Sequence, residues 1–415
     1  MKILLSEGSS TNVREMITAL GPLGYTLDIC DPNPFCMGRF SSYIHRVYKC
    51  PKSGEEPVAY LKFVIKLIKD QKYDVLFPAN EQAFLFSWAM EYLTPIVGLA
   101  VSDFSAFKHL QTKSAFMRWL DGIGLPHPRT LYGRTWKEIL EAAGHFDKTC
   151  YIKTDYGTAS SGVWSIGGDK DLNALKVILD DRKILDGQEF LIQEVSQGVF
   201  EQLHSIFDHG RLLALHCTRR LKEGLRGGAV IKTGVERPLV RRHLEKLGAS
   251  LGWHGSLSID YFFNEANGRV YYIDANPRIT EPMNAAVNGI NLSDIQIRLS
   301  SGGSIRAETG TIVNKSHSAI QAMLGAAGRR FSRFDVLREL FLAAAGRGIY
   351  KNSREGVTPV AKDFPSIVPL SVVLFRLLCF PKSGQDIAKF TIDNYSLGPA
   401  IPRISGMKPE DFISL

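Results

Sequence analysis

Residues 256–278 read SLSIDYFFNEANGRVYYIDANPR, and this stretch decides the fold. Ser256 to Phe263 is a strand in the making, with β-branched and aromatic residues throughout. Asn264 to Gly268 supplies turn residues, and Arg269 to Arg278 returns as the partner strand. Asp260 and Asp274 then sit on neighbouring antiparallel strands. Asn276, two residues on, shares the face of Asp274. Two carboxylates and an amide oxygen aimed at one point suit Mg²⁺, a hard cation that keeps its other positions for phosphate and water. The bland alternative is a pair of solvated acids on an exposed hairpin. Ile259, Phe262, Tyr272 and Ile273 around them weigh against it.

Two further segments precede the hairpin. Tyr151-Ile-Lys153 leads into Thr-Asp-Tyr-Gly157-Thr-Ala-Ser160-Ser161-Gly162, a strand, a lysine and a loop of small residues. Such a loop lets backbone N–H groups approach phosphate oxygens beside a point charge. A hairpin with an exposed lysine would read the same way. It is no Walker loop, because no GK[ST] opens a helix. Phe190-Leu-Ile-Gln193-Glu194-Val195, followed by Gly198 and Glu201, is an apolar strand emerging into polar residues and a glycine. It suits either a hinge beside an adenine and ribose or a solvated strand end.

Upstream, strands alternate with helices: Lys2 to Leu5, Tyr25 to Cys30, Asp74 to Phe77 and Ile96 to Val101 between helices at 12–20, 58–69 and 81–92. This pattern predicts a parallel sheet whose carboxyl-end loops line a crevice. Those loops carry Glu7, Asp31, Asn80 and Glu81. No GxGxxG follows the first strand, which excludes a dinucleotide fingerprint. A helix from Ser105 to Gly122 runs to Leu125-Pro126-His127-Pro128, a boundary. After Ser301-Gly302-Gly303 the chain turns helical and then proline-punctuated.

The order of these segments resembles the ATP-grasp superfamily, in the branch of carbamoyl-phosphate synthase, biotin carboxylase and the carboxylate–amine ligases. The resemblance covers residues 1 to about 300 and includes Lys113 in QTKSAFMRWL, YIKTDYGTASSG, FLIQEVSQGVFE and the paired SLSIDYFF…YYIDANPR. It implies a mixed α/β and α+β protein. Residues 1–105 would be a parallel α/β pre-ATP-grasp domain and 106–305 a two-subdomain ATP-grasp domain, with a lid at about 125–195. Residues 306–415 would be a mostly helical extension that packs on the core without supplying catalytic groups.

The resemblance also implies roles. Lys113 and Lys153 would bind ATP phosphates under a lid at Gly157, Ser160, Ser161 and Gly162. Glu194 and the Val195 backbone would meet adenine, and Glu201 the ribose. Asp260, Asp274 and Asn276 would hold two Mg²⁺ ions, for which Mn²⁺ can substitute. Arg278 would act with Lys153 in catalysis, facing the γ-phosphate or the reacting carboxyl. Substrate groups would meet Glu7, Asp31, Asn80, Glu81, Arg219, Arg220 and Arg226, with Gly227-Gly228 as a backbone approach point.

Two departures stand out. Asp274 occupies a usual glutamate position, and Ser258 stands where D-alanine ligases carry arginine. The implied reaction is ATP-dependent joining of a carboxylate to an amine through an acyl phosphate, releasing ADP and phosphate. A bicarbonate-activating carboxylase or carbamoyl-phosphate synthase-like enzyme is the alternative, and a nucleotide-binding protein without turnover is the rival from another class.

Composition bounds the partners. The chain has 415 residues, 45% hydrophobic and 22% charged, with a formal charge of +8. Its basic residues are dispersed, so no nucleic acid is expected. Six scattered cysteines without a CxxC pair fit a reducing, cytoplasmic setting. VPLSVVLFRLLCF at 368–380 is shorter than a bilayer crossing and carries Arg376, so a buried or interface helix is expected rather than membrane contact. The expected partners are a small-molecule carboxylate and amine, and a homodimer is allowed.

Overall fold

The computed structural model describes residues 1–157, 162–181, 184, 188–330, 332–398, 400–411 and 413. Three sheets organise them. Strands β1 (Lys2–Leu5), β2 (Thr26–Asp31), β3 (Ile44–Lys49) and β4 (Val75–Phe77) form a parallel sheet in the order β3-β2-β1-β4. The apolar runs of β1 and β4 are almost fully buried, as parallel strands covered on both faces must be. β3 has no such signature: its IHRVYK is partly exposed along its length, as an edge strand can be.

The expected strand from Ile96 to Val101 does not form. Only a single bridge joins Gly98 to Val75. The helix Leu292–Ser300 takes over its backbone groups: Ser300 Oγ accepts from Ala100 N (3.1 Å), and Gln296 Nε2 donates to Ala100 O (2.5 Å). A Cβ at Gly98 would lie 2.4 Å from Ser300 O, so only glycine permits this approach.

The second sheet is antiparallel, in the order β5-β8-β6-β7: β5 (Thr130–Gly133), β6 (Thr149–Thr154), β7 (Val163–Gly167) and β8 (Phe190–Glu194). Helices Trp136–Gly144 and Asp169–Asp181 cover it. Ile139, Ile152, Ile166, Leu172 and Phe190 give this unit its own core.

The largest sheet has seven strands, β9 (Val199–Asp208), β10 (Arg211–Glu223), β11 (Ala229–Val235), β12 (Gly255–Asn264), β13 (Arg269–Asn276), β14 (Lys315–His317) and β15 (Ser353–Glu355). Their order is β13-β12-β9-β10-β11-β14-β15. The C-terminal extension is therefore stitched into the central sheet through β14 and β15, besides packing five helices around it. A Cβ at Gly228 would lie 2.6 Å from the Gln321 side chain on one of those helices.

One apolar cluster runs from Leu4 and Phe84 through Leu203 and Ile259 to Leu397, Ile401 and Ile404 near the C-terminus. Asn12 ties the first domain to the loop after β13, donating to Ile279 O (2.9 Å) and accepting from Glu281 N (2.7 Å). Arg14, fully buried, pairs with Asp363 at 3.1 Å. The extension also reaches the crevice: Gly398 and Ile401 stand on its wall, and Leu397 N donates to Glu81 Oε2 (2.6 Å).

Candidate active site

The hairpin β12–β13 places Asp260 opposite Asp274 and Ser258 opposite Asn276. A bulge between Asp260 and Tyr261 lies beside the pair. Gln202, across from Asp260 on β9, donates to its Oδ1 (2.9 Å). Burial, and then the charge of Asp274, push the Asp260 carboxyl up to about 6.

Lys113 reaches the hairpin through a break in the expected helix 105–122. Thr112 adopts extended dihedrals and separates helix Phe104–Gln111 from helix Lys113–Gly122, and its hydroxyl accepts from Ala115 N (3.2 Å). The first N–H groups of the second helix need partners. Asp155 supplies them, its O accepting from Lys113 N (3.3 Å) and its Oδ1 from Ser114 N (2.8 Å). Lys113 Nζ then lies 3.8 Å from Asp274 Oδ1 and donates to Gly157 O (3.2 Å).

Lys153, buried on β6, donates to Gln193 Oε1 (2.7 Å). Burial lowers its ammonium to about 8, with Asp274 opposing and Lys113 adding to the fall. Two cations and two carboxylates from four separate elements thus lie within electrostatic reach of one another. Arg278 lines the same cavity as Lys113, Asp274 and Asn276; it is 8% exposed, and its Nε has no hydrogen-bond partner among the described residues. Such an orphaned buried donor marks a place for an anion. The oxygen donors of Asp260, Asp274 and Asn276 fit a hard divalent cation.

The hinge segment follows β8. Glu194 ends that strand partly buried, and Val195 is 45% exposed. Gly198 has φ +134°, and a Cβ there would lie 2.5 Å from Phe263 O. Gly162 O accepts from Thr154 N (2.8 Å) and closes the β6–β7 hairpin. Ser160 and Ser161 lie outside the described residues, as does the Arg226 side chain.

Several expected ligand residues are engaged elsewhere. Glu201 is fully buried and accepts from Arg219 Nε (3.0 Å), Arg237 Nε (2.9 Å) and Tyr261 Oη (2.9 Å). Its two oxygens are thus occupied within the chain, by both guanidinium groups and the tyrosine hydroxyl. Arg219 is held by Glu201 and by Glu265 (2.7 Å). Glu7 accepts from Ser9 N (2.6 Å), Ser10 N (3.1 Å), the Ser10 hydroxyl and Asn80 Nδ2. Asp31 accepts from Gly8 N (2.8 Å) and Ser9 Oγ (3.0 Å). Both acids and Asn80 are buried and hold the loops at the sheet's carboxyl edge. Glu81 alone of the four lines the cavity.

Burial beside Asp31 raises the Glu7 carboxyl from its ordinary 4.5 to about 7. The folded protein therefore keeps a proton that the unfolded chain releases between those values. This contribution to stability is complete below the lower value and is lost as pH rises to neutrality, by up to about 3 kcal/mol. Glu7→Gln should remove its share of that slope, read from urea midpoints of both proteins across the window. Parallel pH profiles would contradict it.

A buried polar tract beside Asp260 was not foreseen. Lys232 donates to Glu281 Oε2 (3.0 Å) and lies 3.9 Å from Glu15. Burial acts upward on Glu281, yet Lys232 and Arg220 outweigh it and hold the carboxyl below its usual range. Arg220 Nε also lacks a partner among the described residues. The sequence offered one hint, the acid three residues past Arg278.

No family profile matches the chain. Among curated proteins it is similar to the arginine-specific large chain of carbamoyl phosphate synthase from Geobacillus stearothermophilus. They share 22% identity over 306 residues, which is 70% of this chain and 27% of that one. The large chain from Campylobacter jejuni shares 24% over 282 residues, 63% of this chain and 24% of that one. This chain spans about a quarter of the length of these relatives. Among solved structures, the biotin carboxylase domain of Hydrogenobacter thermophilus 2-oxoglutarate carboxylase, with MgADP and bicarbonate, superposes with a TM-score of 0.60. That match has 13% identity and covers 76% of this chain and 73% of that one. Over that span the chain shares the fold of this biotin carboxylase domain.

Proposed function

We propose that the chain is an ATP-dependent carboxylate–amine ligase acting through an acyl phosphate. The observation that carries this reading is the convergence of Asp260, Asp274, Lys113 and Lys153, in which each like-charged pair is close and partly dehydrated. Apo burial of such a set is costly, and bound phosphates with a divalent cation would offset it.

In this reading residues 106–305 form the catalytic unit. Lys113 and Lys153 neutralise phosphate oxygens, and Glu194 with the Val195 backbone meets adenine. Asp260, Asp274 and Asn276 hold Mg²⁺, which when bound draws charge from the phosphate being transferred. Arg278 orients the attacking carboxylate with its unpaired Nε and stabilises charge developing in transfer. The amine then displaces phosphate, and exclusion of water preserves the acyl phosphate until it arrives.

A specific observation favours a second reading, activation of bicarbonate. The curated relatives are carbamoyl phosphate synthases, and the Hydrogenobacter structure holds bicarbonate beside MgADP. One screen separates the two: ADP release measured across carboxylates and amines, with and without bicarbonate, and products identified by mass. Ligation predicts ADP release that needs both an organic carboxylate and an amine. Release that needs bicarbonate and no organic carboxylate would replace it with the second reading.

A further inference from the structure

Two helices of the extension turn apolar stripes to solvent. On Arg333–Ala344, Phe334, Leu337 and Phe341 follow i, i+3, i+7 spacing and are all exposed. Val336 and Ala343, on the other side, cover the core. On Ile367–Cys379, Val368, Val372 and Phe375 repeat the pattern, and Phe380 continues it at 67% exposed. Here Val373 and Leu377 make the inward contacts. A groove of about 610 Å³ opens among Val372, Phe375, Arg376 and Phe380. The face is not poorly packed. It is uncovered, and it is larger than scattered surface residues would make.

Charge says what covers it. Residues 329–389 hold eleven Lys and Arg against five Asp and Glu, six of the chain's eight net positive charges. Three of the five acids are occupied internally: Asp363 by Arg14, Glu339 by Lys222, and Glu355 by the amides of Ala319, Val357 and Thr358. Among the described side chains the cations are exposed. Arg333 and Arg376 are exposed at the groove end, where Arg333 Nε donates to Leu378 O (2.5 Å), and exposed Arg347 lies over the Phe341 ring. A second copy would bring cations onto cations. An anionic lipid surface would meet both the rings and the charges.

We propose that this face docks on an anionic bilayer, with both helices in the plane of the interface. Helix Ile367–Cys379 has 13 residues, about 20 Å, against the roughly 30 Å of a hydrocarbon core, so it can lie in the boundary but not cross. Among the described residues no helix is long and apolar enough to span. Aromatic and aliphatic side chains enter the acyl boundary, and the arginines meet lipid phosphates.

The full chain should be sedimented with vesicles of phosphatidylcholine alone and with vesicles of equal parts phosphatidylcholine and phosphatidylglycerol. Binding to the anionic vesicles is expected to be about tenfold tighter or more, and to weaken in high salt. Phe375→Asp with Phe380→Asp, both surface changes, should abolish pelleting while the circular dichroism spectrum is kept. Arg347→Glu with Arg376→Glu, which alters no apolar residue, should erase the anionic preference. Failure to pellet with either vesicle would overturn the proposal, as would pelleting indifferent to both double variants. A concentration-dependent dimer dissolved by the phenylalanine variant would assign the face to a second copy instead.

Discussion

Asp274→Asn is expected to slow ADP release by about a thousandfold, roughly 4 kcal/mol of lost transition-state stabilisation, in a protein that remains folded. Asp274 faces Asp260 directly across the hairpin and lies 3.8 Å from Lys113. Neutralising it removes a cation ligand and a charge that balances the two lysines. The same change should leave the metal-free protein as stable as the parent or more so, because Asp260 no longer titrates against a neighbouring carboxylate. Loss of activity without loss of stability separates a functional charge pair from a structural one. ADP release and a thermal melt of one preparation check both halves. Near-normal release by the folded variant would remove the hairpin from the chemistry.

Glu201→Ala should do the reverse, lowering stability by about 3–5 kcal/mol. The carboxylate is fully buried and neutralises Arg219 and Arg237 while accepting from Tyr261. Its loss leaves Arg237 without its anion and Arg219 with Glu265 alone. Urea unfolding of parent and variant measures the cost. An unchanged midpoint together with weakened nucleotide binding would return Glu201 to the ribose.

The contrast between these two acids shows what sequence carries. Asp260 and Asp274 were legible because a single hairpin brings them together, and strand alternation fixes which residues share a face. Glu201 lies in an equally suggestive segment. Its partners come from β10 and from Arg237, which caps the next helix, and no local pattern announces that meeting. Lys113 was identified by resemblance, but not how it arrives. Apolar periodicity runs through residues 105–122 and hides the break at Thr112, which exists because Asp155 satisfies the new helix start from another subdomain.

The first domain behaved likewise. Buried β1, β2 and β4 declared themselves as apolar runs, whereas the edge strand β3 did not. Ile96 to Val101 looked like a strand because it is apolar, yet beyond the bridge at Gly98 the Ala100 hydrogen bonds go to a helix nearly two hundred residues away. The extension's contact with the crevice through Leu397 and Gly398 is equally non-local.

The most direct test of the central claim needs no knowledge of the substrates. Calorimetric titration of the full chain with ADP, in excess Mg²⁺ and again in EDTA, asks whether the site at Asp260, Asp274, Lys113 and Lys153 holds a nucleotide through a metal. The account predicts saturable one-to-one binding with Mg²⁺, weakened about tenfold or more by EDTA or by Asp260→Asn. Absence of binding, or binding equally tight in EDTA and in the variant, would contradict it.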